Sequence, residues 1–106
     1  MTTTAEPDVI YSTLANDPLI RELVELYTAE MPQRIAALVA RWQARDYPAL
    51  ATLAHQMKGA AGSHGFNQLT PFAARVEKLA REARAEKETE AAVDELAAAC
   101  SRVRYR

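Results

Sequence analysis

An all-α, up-down-up-down four-helix bundle is the fold this sequence predicts, and three observations lead there. The chain has 22 alanines, only 9 valines plus isoleucines and only 3 glycines. That composition favours helix and disfavours a sheet protein. Apolar residues recur every three or four positions in four successive runs, as on helices that bury one face. No run alternates with period two, so no strand signal competes. The predicted bundle carries a short extra N-terminal helix and a first long helix kinked at a proline.

Residues 1–7 read as a flexible polar lead-in, and residues 8–106 as a single bundle domain. Residues 8–15, DVIYSTLA, are expected to form the short helix, showing Val9, Ile10 and Leu14. Asp17 followed by Pro18 suits an N-cap with proline in the first turn. The stripe Ile20, Val24, Tyr27, Met31, Ile35, Leu38 and Trp42 then defines the first long helix. Pro32 should kink it without ending it, because the stripe keeps its phase. Leu19, Leu23 and Leu26 form a second apolar strip, which the short helix is expected to cover, the alternative being partial exposure as a docking patch for a partner protein. Asp46 can cap the second helix, with Pro48 in its first turn. Leu50, Leu53, Ala54, Met57, Ala61 and His64 give its stripe, and Gly65 is placed to end it. The third helix starts between Asn67 and Pro71 and carries Leu69, Phe72, Val76, Leu79, Ala80 and Ala83. The run 86–90 reads as a turn, and Val93, Leu96, Cys100 and Val103 mark the last helix.

Length and charge exclude several functions. A chain of 106 residues is one domain. Its formal charge of −1 sets up no field for nucleic acid or a membrane surface. One cysteine, Cys100, permits no internal disulfide, which fits a cytoplasmic protein. No apolar run is long enough to span a bilayer, and the first residues lack the pattern of a secretory signal. Cys100 lies on a core stripe and reads as a small buried hydrophobe, which argues against a zinc site.

The second helix holds the constellation that carries chemistry, AHQMKGAAGSHG. At about 100° per residue, His55 points about 160° away from the core residue Met57, toward solvent. Gly59 and Gly62 lie on the same face as His55, one and two turns on, and Lys58 stands to one side. Glycine inside a helix costs roughly 1 kcal/mol relative to alanine, with no packing gain on an exposed face. A side chain at Gly59 would lean back beside His55, so glycine leaves the imidazole in a clearing. A neutral imidazole is a competent nucleophile. If it takes a phosphoryl group, Gly59 leaves room and Lys58 supplies compensating charge. Gln56, Gly62 and Gln68 are further candidates to lie close to the phosphate. The chain has no GxxxxGK[ST] loop, so the phosphoryl group must come from another phosphoprotein. His64, on the core side, is assigned to packing.

AHQMKGAAGSHG, with HxxKG and a glycine ten residues after the histidine, resembles the signature of histidine-containing phosphotransfer (HPt) domains. LVELYTAEMPQRIAALVARW is similar to the helix that precedes it in that family, and FNQLTPFAARVEKLAREA to the helix that follows. The resemblance implies a bundle that relays phosphoryl groups between receiver-domain aspartates in a multistep phosphorelay. It makes His55 the phosphoacceptor, Lys58 its electrostatic support and Gly59 the clearance for the receiver. Many members carry a polar residue such as serine where Gly62 stands, so a hydroxyl contact is missing here. The implied partners are response-regulator receiver domains and a hybrid sensor histidine kinase. The chain itself would be a monomer without kinase activity or bound cofactor, the Mg²⁺ coming with the receiver. The alternative is a helical interaction module that docks or sequesters a receiver and relays nothing.

Overall fold

The computed structural model describes residues 9–14, 16–83 and 86–104. The lead-in 1–7 lies outside the described residues. Five helices follow one another: α1 Arg21–Ala29, α2 Met31–Gln43, α3 Tyr47–Ser63, α4 Thr70–Glu82 and α5 Glu86–Ser101. A 3-10 turn, Asn67–Leu69, leads into α4. Helix α2 packs on α3 and α5, and α4 packs on α3 and α5, which closes a four-helix ring. Short connections make sequence neighbours antiparallel, as in an up-down-up-down bundle. The predicted stripes fill its centre: Leu38, Leu50, Ala54, Ala61, Val76 and Leu96 are buried.

The first long helix is two helices. Pro32 lacks an N–H for the carbonyl of Thr28, and its ring crowds that carbonyl. The chain therefore breaks at Glu30 and restarts with Pro32 in the first turn of α2. The stripe survives the break, since Val24, Tyr27, Met31, Leu38 and Trp42 are all buried. Asp17 caps the turn that precedes α1, its carboxylate accepting from the Leu19 N–H at 2.9 Å. The short extra helix of the bundle is thus α1.

Residues 9–14 do not form the helix expected over 8–15, of which Asp8 and Ala15 lie outside the described residues. Ile10–Tyr11 form a strand, β1, paired in parallel with Val103–Arg104, β2. Eight residues are too few for a stable isolated helix, whereas Val9-Ile10-Tyr11 favours extended backbone. Ile10 is buried and Tyr11 exposed, which is a period of two. Val103 accordingly ends in β2 and not on α5. The segment packs against the end of α3 and leaves the α1 strip open. Leu19 is 88% exposed, and Leu23 and Leu26 are exposed as well, which overturns the expected cover. The run 86–90 opens α5, because Glu86 and Glu88 suit a helix N-terminus. The turn lies just before it, where Ala83 is exposed with φ +51°.

Helix α3, which carries His55, is fixed at both ends. The Asp46 carboxylate accepts from the Ala49 N–H at 3.2 Å, with Pro48 in the first turn. At the other end Gly65 adopts φ +82°. There the Phe66 N–H donates to the Ala61 carbonyl at 2.8 Å, and the Gly65 N–H to the Gly62 carbonyl at 3.1 Å. This is a Schellman closure, which needs a left-handed residue. The N-terminal segment locks it from outside. The Ser12 hydroxyl donates to the His64 carbonyl at 2.6 Å, and the Thr13 N–H to the Gly65 carbonyl at 2.9 Å. A Cβ on Gly65 would lie 2.4 Å from the Ser12 Oγ. His64 packs as expected, stacked on Tyr27 at 4.3 Å, with its Nδ1 donating to the Ala60 carbonyl at 2.7 Å.

Candidate functional site

Helices α3 and α4 run antiparallel, and their register sets His55 opposite Glu77. Glu77 lies on the buried face of α4, between Ala73 and Ala80. Small residues line this seam, including Ala51, Ala54, Ala73 and Ala80, all buried. His55 leans across the seam, and its side chain remains 62% exposed. Its Nδ1 lies 3.1 Å from the Glu77 Oε2.

Three basic side chains converge on that one carboxylate. The Lys58 ammonium donates to Oε1 at 2.9 Å. The Arg81 guanidinium donates to Oε2 from Nη2 at 2.8 Å and from Nε at 3.1 Å. The hydrogen bonds from Lys58 and Arg81 hold the Glu77 carboxyl at about 2, well below its ordinary value of 4.5. Glu77 is therefore an anion at neutral pH and can only accept hydrogen bonds. A neutral His55 facing it must carry its proton on Nδ1. The Nε2 lone pair is then left free, on a ring open to solvent.

The surroundings of the ring match the sequence geometry at Gly59. A Cβ built there meets nothing within 4 Å. Gly62 is closer to its neighbours, with a Cβ 3.6 Å from the Asn67 Oδ1. Gln56 is exposed on the flank toward α2, where it lines a hollow with Arg41, Asp46 and Leu53. Gln68 lies past the end of α3 and lines another hollow with Tyr11, Phe72 and Arg102. Gly65 ends α3 before Gln68, and the 3-10 turn carries that residue around the end of the bundle. The structure thus gathers His55, Lys58 and Gly59, and sets Gln68 apart from them.

Sequence candidates omitted Glu77 and Arg81 from the site. A signal for Glu77 was present: a charged residue on an apolar stripe needs a partner. Arg81 follows one helical turn later, at the spacing of an ion pair. Elsewhere, burial pushes the Tyr27 phenol and the Cys100 thiol each up to about 12. Neither group is reactive at neutral pH in that state. Among the described residues, no three His, Cys, Asp or Glu side chains converge to hold a metal ion. Nor is any described helix long and apolar enough to cross a membrane.

Fold and site together define a mostly helical domain that presents an imidazole on an open helix face. A model of the Hpt domain family matches residues 22–106. The chain belongs to the Hpt domain family, whose members are phosphocarriers with a phosphotransfer role in a phosphorelay. No curated protein and no solved structure matches the chain.

Proposed function

We propose that this chain relays a phosphoryl group between the aspartates of receiver domains, and that Nε2 of His55 carries it. The observation behind this reading is the exposed ring of His55 with its Nδ1 against an ionised Glu77. Glu77 fixes the tautomer and leaves Nε2 as the nucleophile. A receiver's phosphoaspartate approaches over Gly59, where the helix presents bare backbone. The Nε2 lone pair attacks phosphorus in line as the aspartyl O–P bond breaks, and that bond's electrons return to the receiver's carboxylate. The ring becomes an imidazolium whose Nδ1–H still donates to Glu77, which stabilises the charge as it develops. Transfer to the next receiver runs the same steps in reverse.

In this reading the partners are response-regulator receiver domains, loaded through a hybrid sensor histidine kinase, and the chain works as a cytoplasmic carrier. The receiver brings the Mg²⁺ ion and most of the positive charge that the transferring group needs. Lys58 supports the phosphoryl group from the carrier's side. The test is incubation with a phosphorylated receiver, with wild-type protein beside His55→Gln. Wild type should gain an acid-labile phosphoryl group and His55→Gln should gain none, while both keep the same helical circular dichroism. Stable docking of the receiver without transfer to wild type would instead identify a non-relaying interaction module.

A further inference from the structure

We propose that Arg81 is a second phosphoryl-binding cation of this site, one that Glu77 stores until His55 is loaded. The inference rests on the phosphocarrier reading and adds a residue to it. Its starting point is the crowding at Glu77. Oε2 faces three donors, His55 Nδ1 and both Nε and Nη2 of Arg81. A carboxylate oxygen offers two lone pairs, so one of these bonds is in surplus. Releasing Arg81 from Oε2 leaves His55 and Lys58 still satisfying the carboxylate.

Charge favours the same step. Lys58 and Arg81 against Glu77 leave one positive charge in excess beside the His55 ring. A phosphoryl group adds about two negative charges at that point. Placement matters too. Lys58 sits one turn past His55 along α3. Arg81 lines a groove with Ala51 and Thr52, one turn before His55. The two cations therefore straddle the imidazole along the helix axis. Arg81 is the freer of them, with its side chain 60% exposed against 34% for Lys58. Sharing Oε2 keeps its guanidinium within two hydrogen-bond lengths of the ring. The planar fork of a guanidinium matches a pair of phosphoryl oxygens.

The test uses phosphoramidate, a small phosphoryl donor that needs no receiver. Its P–N bond breaks, ammonia leaves, and the phosphoryl group bonds to His55 Nε2. Arg81→Ala should slow His55 phosphorylation at least about tenfold, and Arg81→Lys should recover part of the rate. Arg81→Ala should lower the urea midpoint modestly, because it loses the bonds to Glu77, but both variants should keep the wild-type helical circular dichroism. Both should also keep the His55 Nδ1–H tautomer, read from imidazole nitrogen shifts in the unphosphorylated protein. An unchanged rate in Arg81→Ala would overturn the proposal. So would a rate loss accompanied by loss of that tautomer, since Arg81 would then act only by holding Glu77. Failure of the wild type to be phosphorylated on His55 would instead defeat the phosphocarrier reading itself.

Discussion

At the scale of single residues, Glu77 sets the hydrogen bonding of the His55 ring. An exposed histidine on a helix is ordinarily a solvated side chain with either tautomer available. The ionised carboxylate at 3.1 Å removes that freedom for a neutral ring, placing its proton on Nδ1 and leaving the Nε2 lone pair free. The same depressed carboxyl links the site to stability. As pH falls, the unfolded chain protonates Glu77 near 4.5 while the folded chain holds out to about 2. The stabilisation from this group is therefore complete above the unfolded value and lost as pH drops toward the folded one. Urea midpoints measured across that window should fall more steeply in the wild type than in Glu77→Gln. Equal slopes would show that the Lys58 and Arg81 bonds contribute nothing to folding. The local motif HxxKG did not reveal Glu77, because the partner comes from another helix, 22 positions away in sequence.

At the scale of elements, α3 shows how much a short pattern can specify. Its cap at Asp46, its apolar face and its left-handed end at Gly65 were all legible, because each is a local rule about one helix. The exposed direction of His55 followed from the 3.6-residue period. Gly59 is the costly choice on this helix, and that cost leads to a prediction. Gly59→Ala should raise stability by about 1 kcal/mol, since a Cβ there meets open space. Gly59→Leu should fold as well as the wild type yet slow transfer from a receiver by about a hundredfold, through displacement of the incoming group. Rapid transfer in Gly59→Leu would remove the clearing from the account. The N-terminal segment was misread for a physical reason. In DVIYSTLA the apolar residues fit one helical turn as well as a strand, and periodicity cannot separate the two over so short a run. What decided it was β2, 93 residues further on, whose Val103 pairs with Ile10. The run 86–90 was misread because its charges look like a surface turn, although acidic residues also begin helices.

At the scale of the whole molecule, the bundle holds two helices in fixed register so that groups from each meet at the surface. The fold class was legible because stripe width and short connections leave few other ways to bury four amphipathic faces. The division of the first long helix at Glu30 was visible only as a kink, since an apolar stripe reports phase and not hydrogen bonding. Strands β1 and β2 pair across the length of the described chain, and residues 12–13 brace the end of α3. Core, caps and clasp hold α3 in place, while the His55 ring stays exposed. The account depends on one atom, the Nε2 of His55. Phosphorus–nitrogen coupling, measured by NMR on isotope-labelled protein after transfer from a phosphorylated receiver, tests it most directly. The predicted result is a phosphoryl group on Nε2 of His55 with the proton kept on Nδ1; coupling to Nδ1, or a phosphoryl group on any other side chain, would contradict it.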